Sequence, residues 1–201
     1  MTPELPPLTA TTSGGPEFPA SAQSRAKELP EAPDGGKLRG LRLLDWSADP
    51  DGNAVKLDTV KLGDRTRVAV ELSAGRKEYT AIRCEGGWSL KNGDDDQTSV
   101  YIFNDTTAPL RVSAAFSMGD DFAWFESPTQ ELKPGWNKLE YAQGAGSFKA
   151  RAVKWHYAAA LPAAECRAVN LVIYNAGRSG QLFFDGVGIA GEASRNGGRK
   201  K

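Results

Sequence analysis

The stretch Leu110-Arg111-Val112-Ser113-Ala114-Ala115-Phe116-Ser117-Met118 decides the fold. Side chains of a strand point alternately to its two faces. Val112, Ala114, Phe116 and Met118 therefore share one apolar face, and Arg111, Ser113 and Ser117 share the other. That is the pattern of a half-buried strand. Val169–Asn175 repeats it, with Leu171 and Ile173 opposing Asn170 and Tyr174. Working outward, short segments of the same character alternate with turn signals: Leu41–Trp46, Val55–Leu62, Thr66–Leu72, Tyr79–Cys84, Gly87–Leu90, Ser99–Asn104, Phe122–Phe125, Trp136–Tyr141 and Gln181–Ile189. No amphipathic helix stands out. Arg151–Cys166 has room for a helical turn, but Pro162 interrupts it. About ten short strands spaced by turns predict an all-β chain, an antiparallel two-sheet β-sandwich of the jelly-roll kind.

The chain has 201 residues, enough for one domain with a core and tails. Its 25 basic and 25 acidic residues balance, so no basic field exists to recruit nucleic acid or an anionic membrane. No apolar run reaches the ~20 residues of a membrane span. Met1–Ala22 lacks the apolar centre of a signal peptide. Residues 1–36 are rich in Pro, Thr, Ser, Gly and Ala and read as a disordered linker. Residues 37–191 form the sandwich, and 192–201 a basic flexible tail. Cys84 and Cys166 are far apart in sequence. They are either one disulfide, if the chain is exported, or two buried thiols.

Catalytic motifs are missing. His156 is the sole histidine, which excludes a histidine metal cluster. There is no Gly-x-Ser-x-Gly elbow and no phosphate-binding loop. Asp120, Asp121, Glu126 and Glu131 gather near Trp124, but charged loop residues are more often solvated than paired for glycoside hydrolysis. Asp49-Pro50-Asp51-Gly52-Asn53 hints at a calcium loop and fails, with Ala54 and Val60 where Gly and a carboxylate are needed. It reads as a turn. Asn92–Asp96 reads as a solvated hairpin tip, and Asn104-Asp105-Thr106 is a formal glycosylation triplet.

Phe183-Phe184-Asp185-Gly186-Val187-Gly188-Ile189 poses a sharper problem. Parity puts Asp185 on one face with Phe183, Val187 and Ile189, a face that should meet the core. An unpartnered buried carboxylate is very costly. Asp185 needs a metal ion, a basic side chain or several backbone N–H groups.

Three phrases occur in order. Gly87-Trp88-Ser89-Leu90 precedes Ser99-Val100-Tyr101-Ile102-Phe103-Asn104; Leu132-Lys133-Pro134-Gly135-Trp136-Asn137-Lys138-Leu139 follows; Val169–Asn175 and Leu182–Val187 close the set. Over residues 40 to 190 this resembles the jelly-roll carbohydrate-binding modules attached to glycoside hydrolases and agarases. The resemblance implies a structural calcium held by Asp185 of the last strand and Asp45 of the first; the alternative is an Arg or Lys partner for Asp185, or backbone N–H donors. It also implies a polysaccharide ligand, an extracellular or periplasmic setting, and a tethered or associated glycoside hydrolase.

Sugars stack their C–H faces on aromatic rings while polar groups fix the hydroxyls. Rings that parity turns away from the apolar face are the candidates. Tyr101 and Phe103 oppose Val100 and Ile102; Trp155 and Tyr157 share a face if extended. The expected patch is Tyr101, Arg111, Trp124, Trp155 and Tyr174. Trp46, Trp88 and Trp136 are assigned to packing. The leading reading is a noncatalytic carbohydrate-binding module. The alternatives are a structural or protein-interaction sandwich without a sugar site, and a small jelly-roll hydrolase or lyase.

Overall fold

Alternation of this kind should produce two sheets closed on a common core. In the computed structural model, which describes residues 21–43, 45–91, 96–144 and 148–193, it does. Among the described residues, strands numbered in chain order form two antiparallel sheets. In the first, β10 (Gly135–Ala142), β6 (Gln97–Asn104), β14 (Gly180–Ile189), β4 (Arg65–Leu72) and β3 (Val55–Leu62) lie side by side, and β1 (Leu41–Leu43) also pairs with β14. The second runs β12 (Tyr157–Ala159), β11 (Phe148–Ala150), β8 (Ala123–Glu126), β7 (Leu110–Met118), β13 (Glu165–Tyr174), β5 (Thr80–Leu90) and β15 (Gly191–Ala193). There β2 (Trp46–Ala48) pairs with β5, and β9 (Gln130–Leu132) with β7. The inner faces meet as read from the sequence: Val112, Ala114, Phe116 and Met118 pack with Leu171, Ile173, Val100 and Ile102 in one core. Phe116 and Phe148 meet edge to face, centroids 5.6 Å apart. Cys84 and Cys166 are buried free thiols in this core. Burial pushes Cys84 up to about 11 and Cys166 up to about 12.

Strand β14 breaks its own parity. Its register against β6 shifts between Phe184 and Val187, and Gly186 there has φ +110°. A bulge inserts a residue and reverses the alternation beyond it. Leu182, Phe184, Val187 and Ile189 thus all reach the core, while Phe183 packs on the outer face. Asp185 leaves with Phe183, which corrects the expectation that it shares a face with Val187 and Ile189.

That outer face is covered. Helix α1 (Ala22–Glu28) starts at Ser21, whose Oγ accepts the Ser24 N–H at 3.2 Å. Its Ala22 and Ala26, with Leu29, pack on Val60, Ala69 and Phe183. Small side chains let the helix lie close to the sheet. Beneath it Arg67 of β4 is 1% exposed. Arg67 Nη1 donates to the Ala26 carbonyl at 2.7 Å and Nη2 to that of Pro30 at 3.2 Å. Both carbonyls lie toward the C-terminal end of α1, where a cation is favoured. Nε and Nη2 of the same guanidinium donate to the two oxygens of Asp185, the latter at 2.9 Å. Arg25 of α1 pairs with Asp105 at 2.8 Å on the rim.

Residues 21–36, expected as linker, are therefore part of the packed domain, and a helix exists where none was expected. Composition missed it because two alanines and one leucine suffice when a complementary sheet face already exists. Glu192 pairs with Ser89, so the sandwich also extends past the expected boundary at 191. Residues 1–20, Asn92–Asp95 and 194–201 lie outside the described residues. Asn104 of the glycosylation triplet is 1% exposed, and its Nδ2 donates to the carbonyls of Ala108 and Leu132. It pins the following turn and is closed to modification in the fold. No helix among the described residues is long and apolar enough to cross a membrane.

Candidate functional site

Among the described residues, no α-helix covers the outer face of the second sheet. Ala81 of β5, Ala115 of β7 and Val172 of β13 make its floor, with Tyr79, Trp124 and Tyr174 packed around them. Small residues below large rings produce a trough. The resulting cleft holds about 590 Å³, with Trp155 at one side and Asp49, Asp51 and Glu78 at the other. Tyr79 and Tyr174 stand 6.2 Å apart, tilted by 57°.

Pairing builds a polar cluster into this wall. Register sets Glu126 of β8 opposite Ala115 on one side and Lys149 of β11 on the other. Glu126 is 5% exposed, yet four groups serve its carboxylate. Ser113 Oγ donates at 2.9 Å and Trp124 Nε1 at 3.2 Å; the Tyr174 hydroxyl donates as well, and Lys149 Nζ lies at 3.0 Å. Lys149 also donates to the Tyr174 oxygen at 3.3 Å and sits 5.9 Å from the ring centres of Tyr157 and Tyr174. Burial, then the hydrogen bond to Glu126, pushes the Tyr174 phenol up to about 12. Burial alone would lower the Lys149 ammonium; the hydrogen bond and charge of Glu126 outweigh it and hold it above its ordinary value. One buried carboxylate thus fixes two ring walls and one cation.

The opposite rim is a pinned turn. Asp49 Oδ1 accepts the Asp51 N–H at 2.8 Å, and Asn53 Nδ2 donates to the carbonyls of Lys77 and Tyr79 at 2.7 and 2.9 Å. The calcium-like segment is a turn, as expected, and it lines the cleft. Burial raises the Tyr79 phenol, with the charges of Asp49, Asp51 and Glu126 adding to it. Lys149 is matched by Glu126, so the remaining carboxylates Asp49, Asp51 and Glu78 leave the cleft negative.

Of the expected patch, Trp124, Trp155 and Tyr174 come together here. Arg111 is exposed and lies 5.7 Å from the Tyr174 ring, at the cleft's flank. Tyr101 does not join them. It is 1% exposed on the other sheet, and its hydroxyl donates to Asp34 at 3.2 Å. Parity placed it on an outer face correctly, but the N-terminal segment covers that face. Tyr79, Glu126 and Lys149 were missed, because only cross-strand register shows that they converge. Phe122, Trp155 and Tyr157 are the exposed large hydrophobics among the described residues, at 49, 54 and 46%. Phe122 and Trp155 have φ of +53° and +62°. Bulky residues seldom adopt that conformation, and such strain collects at functional sites.

Asp45 lies exposed where the chain crosses from β1 to β2. The cation on Asp185 is Arg67, the alternative left open by the sequence. A calcium ion on Asp185 would have to displace a guanidinium that also holds the carbonyls of α1 and its exit. The donor set does not fit calcium on geometry, and among the described residues no three His, Cys, Asp or Glu side chains gather as metal ligands. Trp136 packs edge to face on Phe103 at 5.4 Å, and Trp46 and Trp88 pack on the core. Asp120 pairs with Arg167, Glu131 is exposed, and His156 is exposed.

Several solved structures share this architecture. The family 11 carbohydrate-binding module of a cellulosomal cellulase of Clostridium thermocellum matches 80% of this chain and 95% of its own, at 14% identity and a TM-score of 0.51. The family 11 module from Clostridium thermocellum, in complex with a β-1,3-1,4-mixed-linked tetrasaccharide, matches 76% and 92%, at 13% identity and 0.51. An agarase matches 78% of this chain over 25% of its own, at 11% identity and 0.50. No protein-family model matches the chain, and no curated protein matches it in sequence. The likeness is one of fold alone: the β-sandwich that these structures share.

Proposed function

We propose that this domain is a noncatalytic module that binds a polysaccharide in the open cleft of the second sheet. The observation that carries this is the pair of ring walls, Trp124 and Tyr174, both held by the buried carboxylate of Glu126 above a floor of small residues. Preset rings offer stacking platforms without an ordering cost at binding. Asp49, Asp51 and Glu78 supply acceptors for hydroxyls and oppose acidic sugars, so the ligand is a polysaccharide without carboxylate or sulfate groups. Binding of this type raises the local concentration of a linked enzyme at its substrate. A tethered glycoside hydrolase and an extracytoplasmic setting belong to the same reading.

Affinity electrophoresis against matched pairs sharing a backbone tests both parts. Hydroxyethylcellulose is set against carboxymethylcellulose, and agarose against agaropectin, its sulfated counterpart, within a wider neutral panel. Retardation by a neutral member and not by its acidic partner is the expected result. Retardation by none refutes the function; preference for the acidic partner refutes the ligand class alone.

A further inference from the structure

The trough does not end at Trp155. On the far side of Trp124 and Trp155 lies a second cleft of about 640 Å³, lined by Phe122, Phe125, Asp121 and Arg151 besides the two tryptophans. The clefts therefore share a wall. Each volume lies within the ~300–1,000 Å³ of pockets that hold drug-sized ligands, ample for a sugar ring. Trp155 stands between them, exposed, on a left-handed backbone that turns its ring outward. Phe122 is its counterpart in the second cleft. It too is about half exposed and left-handed, and its ring is backed by Arg83 at 5.7 Å from the centroid. Asp121 and Arg151 are exposed at this rim. One accepts and the other donates, which suits hydroxyls.

We infer that the second cleft is a further binding subsite for the same polysaccharide chain, with Phe122 its stacking platform and Arg151 its hydroxyl donor. This rests on the proposed function and extends it: the ligand is an internal stretch of chain long enough to cross the Trp155 ridge, rather than a chain end or a single sugar. Continuity through Trp124 and Trp155 assigns both clefts to one occupant.

The test uses the same polysaccharide panel, comparing wild type with F122G, R151A and W155A. F122G is chosen because glycine adopts φ +53° freely, so it removes the platform while relieving the backbone. Melting temperatures should match wild type or exceed it. F122G and R151A should each weaken retardation by the polysaccharide that wild type recognises, F122G by roughly tenfold in dissociation constant, and W155A should weaken it at least as much. If wild type is retarded and W155A is impaired while F122G and R151A bind as wild type, the second subsite is refuted and the first cleft stands. If wild type is retarded by nothing, the function itself falls, and the subsite with it.

Discussion

The two outer faces of this sandwich are made from the same chemistry and end differently. Each carries rings, a cation and a carboxylate. On the first sheet these are Tyr101, Phe103, Trp136, Arg67 and Asp185; on the second, Trp124, Tyr174, Lys149 and Glu126. On the first, α1 and the segment that follows it through Asp34 close over the group, and Arg67 satisfies the carbonyls of Ala26 and Pro30 as well as Asp185. On the second nothing described covers the rings, and Glu126 holds them upright instead. The same ion-pair chemistry locks a lid in one place and sets a platform in the other. Coverage, not residue type, separates structure from site.

The contrast can be broken from either side. R67M takes from Asp185 the guanidinium that holds both its oxygens, and removing one partner of a buried pair costs about 3–5 kcal/mol. Urea unfolding should show that loss, while R67M/D185L recovers the part due to the unpaired carboxylate, leaves the carbonyls of Ala26 and Pro30 without their donor, and is retarded by polysaccharide as wild type is. A comparable loss of binding in the double variant would mean that the faces are coupled. The shared core responds to alkali. The fold raises Cys84 and Cys166 from 9.0 to about 11 and about 12, so the folded state holds protons that the unfolded chain releases. Stability is complete below pH 9 and falls as pH rises through 9 to 12, by about 1 kcal/mol per thiol at pH 10. Chemical unfolding at pH 8 and pH 10 checks this.

E126Q keeps the shape of the keystone and removes its charge from Lys149. It should cost about 1–3 kcal/mol and weaken polysaccharide retardation as Trp124 and Tyr174 loosen. Unaltered retardation would show that the rings hold themselves. W155A touches only the exposed ridge. Its stability should change by less than ~0.5 kcal/mol, with roughly tenfold weaker binding. The smallest effect concerns Asp185: millimolar calcium or chelator should leave the melting temperature unchanged. A calcium-dependent rise would mean that Asp45 and Asp185 take a metal ion at the expense of Arg67.

The alternation in Leu110–Met118 and Val169–Tyr174 was enough to predict two antiparallel sheets and their inner faces, because side-chain parity is a property of the backbone itself and extends along each strand. The same parity turned Tyr174 and Tyr101 outward, correctly in both cases. It could not tell which outward ring meets solvent. That depends on α1 and the segment after it through Asp34, whose docking residues Ala22, Ala26 and Leu29 are too slight to register in a Pro-rich stretch. Nor could parity survive Gly186, where one inserted residue carries Asp185 away from Val187 and onto Arg67. Glu126 and Lys149 read as ordinary charges until register across β7, β8 and β11 brought them to Tyr174. Local periodicity determined the strands and the direction of each side chain. Only long-range pairing and the packing of one short helix decided which face was closed by an arginine and which was left open to bind.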